Sequence, residues 1–383
     1  MAQRPPIFLS YAFRPFFLLS ALAAILLAGG WIAGLTGLSV LPRGVNPLEW
    51  HAHEMLVGFA MATVAGFTLT AVATWTGRAP VRGAALLGLV AAWLLGRLAM
   101  WQAGQLPAPM IALLDTLFPA GLLVFFGWEV VAARNRRNYK VVALIAALAL
   151  ANLIFHSGQP RLGTVLMVHT LVVLVALIGG RIVPNFTANW MRGQGMSDLP
   201  VNRPLVDGIA LALTLSFGVA SAAGVSGEIT ASIALAAAVA HALRVMQWRG
   251  LQTIRNPLLF ALHVAYWWLP IGYVLAGLAS LGLWLAPATA LHALTMGAIG
   301  GMAFAMITRV PLGHTGRALH ASRLTVIAYL LFSAAVLVRL VGSLAVDAYN
   351  ILLVISVACW CLAFTLFVAE YWPVLSQPRA DDA

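Results

Sequence analysis

The stretch Trp50-His51-Ala52-His53-Glu54-Met55 stands at the head of an apolar run that ends near Trp75. About 20 consecutive apolar residues are enough for an α-helix to cross a bilayer, so this run predicts a transmembrane helix. Two imidazoles, a carboxylate and a thioether lie where that helix begins. Because ionisable groups at membrane depth are expensive, those that occur there usually have a function. The stretch therefore also indicates a binding or catalytic site.

The composition of the whole chain agrees with this first stretch. Of its 383 residues, 62% are hydrophobic and only 9% are charged, and the mean hydropathy is +0.94. Soluble domains carry about 25% charged residues. A soluble fold has no means of covering so much apolar surface. The expected fold class is therefore all-α, a polytopic helical bundle within a membrane.

Twelve segments are long and apolar enough to be membrane spans. They cover roughly residues 16–37, 51–75, 83–101, 109–133, 139–156, 161–184, 204–224, 228–248, 257–283, 287–309, 323–343 and 347–371. Because most connections are short, consecutive spans should be antiparallel neighbours. The longest connection, 185–203, would divide a single transmembrane domain of residues 1–383 into six and six helices.

Arginine and lysine are distributed unevenly over the connections. The N-terminus, the tail and alternate connections hold nearly all of them, including Arg78, Arg244 and Arg317, whereas the opposite connections hold only Arg43 and Arg161. Because positive loops stay inside, both termini are expected in the cytoplasm. The same asymmetry accounts for the formal net charge of +11. No nucleic-acid partner is therefore expected.

The nine histidines fall into two groups by their expected depth. The extracytoplasmic group comprises His51, His53, His156, His169 and His292. Imidazole suits iron, copper and zinc, and helical bundles build such sites from side chains on facing helices. This group is therefore the predicted metal site. A candidate second site on the cytoplasmic side comprises His241, His263, His314 and Arg317.

Helical spacing limits what the first stretch can do. His51 and His53 lie about 200° apart at helical pitch, so they should serve two centres unless one lies on an unwound turn. Glu54 shares a helical face with His51. It would either orient a metal-binding imidazole or act as a proton donor. A solvated carboxylate at a helix N-terminus is the plain alternative.

Charged residues that should face the interior of the bundle lie one each in spans 3, 4, 6 and 11. They are Arg97, Asp115, Arg181 and Arg339. The arginines are natural partners for carboxylates, including the propionates of haem, although snorkelling to the interface is the alternative.

Small residues mark span 10. Gly297 and Gly301 would allow close approach of another helix or of a flat macrocycle. The span leads into Thr308–Arg317, a basic, glycine-containing segment. This segment would either bind an anion or act only as a topological anchor.

Four motifs together resemble the NnrS family. They are Phe13-Arg14-Pro15-Phe16-Phe17, Trp50–Met55, Gly180-Arg181-Ile182-Val183-Pro184-Asn185-Phe186-Thr187, and His292 through Arg309 to Leu312–Arg317. The resemblance covers nearly the whole chain. It implies a bacterial inner-membrane protein that contains haem and copper, responds to nitric oxide and protects against nitrosative stress.

Together, the resemblance and the histidine positions predict the cofactor ligands. Haem, expected to be of the b type, would take a histidine of span 2 and His169 or His292. Copper would use the remaining extracytoplasmic histidines. Arg97, Arg181 and Arg339 are expected at the cofactors. Nitric oxide, the lipid bilayer and an electron donor are the expected partners.

A second similarity concerns topology alone. Catalytic subunits of haem–copper oxidases and nitric oxide reductases also have twelve helices, with metal-binding histidines in helices 2, 6, 7 and 10. Here spans 2, 6 and 10 carry histidines, but span 7 has no histidine pair. A redox enzyme of this kind, a twelve-helix transporter and a metal-delivery protein are the alternatives. Clustering on one side favours metal binding, because a carrier places polar groups near the midplane. Whether the chain is an enzyme stays open.

Overall fold

Helices form the whole framework of the molecule. The computed structural model describes residues 5–39, 41–283 and 285–381, and no β-strand occurs among them. Twelve helices of this part are long and apolar enough to cross a membrane, which confirms the predicted fold class. They are α1 (Phe13–Leu35), α2 (Pro47–Thr76), α3 (Ala84–Trp101), α4 (Ala108–Ala132), α5 (Arg136–His156), α6 (Pro160–Gly193), α7 (Pro204–Ala222), α8 (Glu228–Met246), α9 (Pro257–Ser280), α10 (Pro287–His314), α11 (Arg323–Gly342) and α12 (Tyr349–Ser376). The cytoplasmic position of the termini and the six-plus-six division stay predictions.

The largest difference from the predicted spans is at α6. This helix runs for 34 residues and continues through Pro184 to Gly193, well beyond the predicted end. Helix α10 likewise continues through Pro311 to His314. Proline is tolerated in such helices because neighbouring groups satisfy the backbone carbonyls that it leaves free. The motif Gly180–Thr187 therefore lies entirely inside a helix, and the segment Thr308–Arg317 lies inside one up to His314.

Two compact units make up the chain. The first unit comprises Met1–Met167, Ile307–Ala318 and Trp360–Ala383. The second unit comprises Val168–Met306 and Leu319–Cys359.

In the first unit, α1 packs closely against α2. The Ser20 hydroxyl lies 2.6 Å from the Thr63 hydroxyl and donates to the Phe59 carbonyl at 3.1 Å. A side chain at Gly66 would lie 2.7 Å from the ring of Phe17. Glycine is therefore required for the two helices to approach this closely.

In the second unit, α9 packs against both α8 and α10. A β-carbon at Gly297 would lie 2.6 Å from the Trp268 side chain, and one at Gly301 would lie 3.1 Å from the Ala265 side chain. Another helix, α9, therefore packs against the small residues of α10. This was one of the two predicted alternatives.

Two helices contain a π-helical segment directly after a histidine. In α2 the segment Glu54–Ala60 follows His53, and in α10 the segment Ala293–Gly300 follows His292. Segments of π-helix are rare and occur frequently at functional sites. The most buried of the twelve helices are α2, α6 and α10, which also carry His51, His53, His169 and His292. The helices richest in candidate ligands are thus the least exposed.

Candidate metal centre

Charged and polar side chains from four helices meet inside the first unit. They are His53 and Glu54 of α2, Arg97 of α3, Asp115 of α4, and Asn152 and His156 of α5. We call these six residues the charged cluster. None of the five ionisable side chains is more than 10% exposed, and Asn152 is fully buried. Since buried charges are stable only when paired, the contacts within the cluster decide what it can bind.

The Arg97 guanidinium joins the two carboxylates of the cluster. It donates from Nη1 to Glu54 Oε1 and from Nη2 to Asp115 Oδ1. Two glycines leave room for this arrangement. A side chain at Gly96 would lie 2.9 Å from Asp115 Oδ1, and one at Gly58 would lie 3.2 Å from Arg97 Cδ. The site is therefore formed by the packing of α2, α3 and α4, and not by its charges alone.

The two imidazoles converge on the other oxygen of Asp115. Asp115 Oδ2 lies 3.1 Å from His53 Nε2 and 2.8 Å from His156 Nε2. One ligand atom from each of the three residues lies within 4.8 Å of the others. Imidazole nitrogen and carboxylate oxygen are donors for zinc, copper and iron. These three residues are thus the candidate metal centre.

Asn152 connects the histidine and carboxylate sides of this centre. Its amide nitrogen donates to Asp115 Oδ2 at 2.9 Å, and its Oδ1 accepts from His53 Nε2 at 2.9 Å. In this arrangement His53 Nε2 carries a proton. A metal at the centre would replace that proton, because an imidazole nitrogen must be deprotonated to bind a metal.

The charges of the cluster cancel only when one of its imidazoles carries a second proton. Glu54 and Asp115 together carry two negative charges against the single positive charge of Arg97. With neutral imidazoles, the cluster keeps one negative charge in a buried position. Buried unbalanced charge is costly, so the site favours one further cation, either a proton on an imidazole or a metal ion.

A second buried network lies in the second unit, on α7, α8 and α9. Tyr266 Oη lies 2.9 Å from His241 Nδ1 and accepts from Arg244 Nη1 at 2.7 Å. His241 Nε2 lies 2.8 Å from Thr214 Oγ1, which donates to the Ala210 carbonyl. These contacts fix the tautomer of His241, because Nε2 must donate to Thr214 and Nδ1 must accept from Tyr266.

The remaining predicted ligands lie outside the charged cluster. His51 stacks on Trp31 in the first unit, with ring centroids 4.6 Å apart. His169 packs against Phe217 in the second unit. His292 lies in the second unit with its Nδ1 2.7 Å from the Ala288 carbonyl.

The three arginines that were predicted to lie at the cofactors are also found in different places. Arg97 lies in the charged cluster. Arg339 lies near enough to His292 to interact with it electrostatically, and its guanidinium lies 5.7 Å from the ring centroid of Tyr349. Arg181 is half-buried in α6.

The residues of the predicted second site divide between the two units. His241 and His263 lie in the second unit, where His263 Nε2 lies 2.9 Å from Thr187 Oγ1. His314 and Arg317 lie in the first unit.

Several buried polar contacts were not predicted from the sequence. Asp115 and Asn152 are isolated polar residues in apolar spans, and no local pattern indicates that they meet His53. Arg244 was counted with the loop cations, but it lies inside α8 and is only 4% exposed. A signal for it did exist, because His241 and Arg244 lie three residues apart and share a helical face.

Twelve membrane-length helices with a charged cluster buried among four of them define a multi-pass membrane protein with an intramembrane polar site. The family model described as NnrS protein matches residues 7–379, nearly the whole chain. The chain therefore belongs to the NnrS family, and this membership supports a membrane protein of the nitric oxide response. The search of curated proteins gave no match.

Proposed function

We propose that this protein is a haem- and copper-binding protein of the bacterial inner membrane that protects the cell against nitrosative stress. In this proposal His53, Asp115 and His156 hold copper. His292 would hold haem in the second unit. When bound, the metals supply coordination positions at which nitric oxide binds.

The observation that carries the copper proposal is the charge and donor set of the charged cluster. Three ligand atoms lie within 4.8 Å of one another, beside a carboxylate pair with only one guanidinium. A bound cation would balance the excess negative charge and take the place of the proton on His53. Arg97 would keep Asp115 oriented through Oδ1 and leave Oδ2 for the metal.

Glu54 is well placed to orient a metal-binding imidazole. Its Oε1 lies 3.2 Å from His53 Nδ1. A carboxylate that accepts from one ring nitrogen fixes the tautomer and directs the other nitrogen toward the metal. Glu54 is also the proposed proton donor of the site: as the only Asp or Glu within reach of His53 Nδ1 in the described contacts, it would first take up a proton and then donate it. Its expected partner was His51, whereas the contacts favour His53.

His292 makes a hydrogen bond that is common in metal-binding histidines, in which the ring nitrogen that does not bind the metal donates to a carbonyl. Its Nδ1 donates to the Ala288 carbonyl at 2.7 Å, which leaves the lone pair of Nε2 available. Arg339, which interacts with His292 electrostatically, would pair with an anionic group of the cofactor such as a propionate. These two residues therefore fit one end of a haem. His169, whose buried Nδ1 has no hydrogen-bond partner among the described residues, is the second candidate ligand.

Elemental analysis of purified variants tests the copper proposal. His53→Ala and His156→Ala should each remove copper from the protein and leave haem in place. His320→Ala, at an exposed histidine of the second unit, is the matched control and should keep both metals. Copper content equal to wild type in both cluster variants would exclude this site.

Optical spectroscopy tests the haem proposal separately. The purified wild-type protein should show a Soret band that shifts on addition of nitric oxide. His292→Ala should lose or shift that band while copper content stays unchanged. A colourless wild-type protein from haem-replete cells would refute the haem assignment without affecting the copper test.

A further inference from the structure

Two sequence motifs that the proposed function leaves unused meet in the first unit. Arg14, near the start of α1, donates from Nη1 to the carbonyls of Leu375 and Gln377, both at 2.7 Å. His314, at the end of α10, packs against Phe13 with ring centroids 5.8 Å apart. The first turn of α1, the end of α10 and the end of α12 are therefore neighbours.

The C-terminal tail completes this group. The Ala380 backbone N–H donates to the Thr315 carbonyl at 2.8 Å. Gly316 has a φ of +68°, and a side chain there would lie 2.5 Å from Asp381 Oδ1. Arg379 binds Asp381 through two hydrogen bonds of 2.9 and 2.5 Å. We call Arg14, His314, Arg317, Arg379 and Asp381 the arginine cluster.

The arginine cluster carries an excess of positive charge. Arg317 and Arg379 both act on the Arg14 guanidinium with like charge, and Arg379 also acts on His314. The carboxylate of Asp381 is the only acidic group in the cluster, and its hydrogen bonds to Arg379 lower its pKa. It is therefore ionised at neutral pH, and among the described residues neither Arg14 nor Arg317 is paired with a carboxylate.

Donors are also left unused in the cluster. Arg14 is 98% buried, and its Nε has no hydrogen-bond partner among the described residues. The buried Nη1 of Arg317 likewise has none there. A buried donor without a partner is costly, and arginine donors match the oxygens of phosphate in both charge and geometry.

We propose that the arginine cluster binds a phosphate group, with Asp381 as an internal carboxylate that competes with it. The phosphate belongs either to a soluble anion or to the headgroup of an anionic lipid. Arg317 and Arg379 would bind it directly, and Arg14 would contribute charge while it holds the end of α12. The site is independent of the metals proposed above.

Calorimetric titration of the detergent-purified protein with inorganic phosphate, at low ionic strength, tests the soluble form of this proposal. Arg317→Gln should weaken binding by about tenfold, the effect of losing one charge-assisted hydrogen bond. Asp381→Asn should strengthen binding, because it removes the negative charge that competes with the phosphate for Arg379. A misfolded variant would not bind phosphate more tightly. Tighter binding by this second variant would therefore show a direct effect on the site and not a loss of the fold. Arg137→Gln, at an exposed arginine in the first turn of α5, is the matched control.

Mass spectrometry of lipids that co-purify with the same variants tests the lipid form. Phosphatidylglycerol retained by wild type and by Arg137→Gln but lost from Arg317→Gln would identify a lipid headgroup, even without binding of inorganic phosphate. If neither ligand binds, or if Arg317→Gln and Arg137→Gln behave alike in both measurements, the proposal is wrong.

Discussion

The guanidinium of Arg244 occupies the space in which a side chain at Gly180 would have to lie. Arg244 reaches this position from α8 and donates to the Ala176 carbonyl at 2.6 Å and to Asp207 at 2.5 Å. The glycine that opens the Gly180–Thr187 motif is therefore required by a cation from another helix. Nothing in the motif itself identifies this partner.

Gly180→Ala should consequently destabilise the protein. The added methyl group would displace Arg244 from its hydrogen bonds, and we expect a loss of about 2–4 kcal/mol. The thermal midpoint of the detergent-purified protein is the measurement. Gly208→Ala is the control, because no atom lies within 4 Å of its β-carbon position and alanine favours helix. Equal midpoints for the two variants would contradict the steric explanation.

Removal of Arg97 should also destabilise the protein, but for a different reason. Arg97→Met leaves Glu54 and Asp115 buried with a double negative charge, and breaking such a buried pair costs about 3–5 kcal/mol. Combining it with Glu54→Gln and Asp115→Asn should restore much of the lost stability. The comparison of thermal midpoints decides between charge imbalance and simple loss of packing, since only charge imbalance predicts the recovery.

Copper affinity should depend on pH. Because His53 Nε2 donates a proton to Asn152 in the metal-free protein, binding must release that proton. Affinity should therefore fall as the pH is lowered, by up to about tenfold per pH unit for each proton released. Competition with a chelator at several pH values measures this slope. An affinity that does not change with pH would argue against ligation by His53.

Tyr266→Phe should weaken the second unit without affecting the metals. It removes the phenol that bridges His241 and Arg244, so two buried groups lose a partner. The expected destabilisation is about 1–3 kcal/mol. Tyr139→Phe, at an exposed tyrosine, should leave the thermal midpoint unchanged. A drop in copper content in Tyr266→Phe would show that this network and the copper site are linked.

Much of the fold could be predicted from the sequence, because the length of an apolar segment can be read without knowledge of distant contacts. The twelve spans were found from it, and the ends of α6, α10 and α12 were the main errors, since Pro184, Pro311 and Pro373 do not end these helices. The charged cluster was only partly predicted. His53 and His156 were recognised by residue type, but their convergence on Asp115 depends on how α2, α4 and α5 pack. The cap that Arg14 forms on α12 joins residues more than 360 positions apart in the chain and left no local signal.

The π-helical segments after His53 and His292 determine the direction in which the histidine end of each helix faces, relative to the rest of that helix. Each residue of an α-helix turns the chain by about 100°. Deleting a single residue from Glu54–Ala60 would therefore rotate the histidine end of α2 by about that angle relative to Met61–Thr76. His53 would then face away from Asp115 while the helix kept its apolar length. The orientation of the ligands thus depends on the number of residues in the segment as well as on the identity of the ligands.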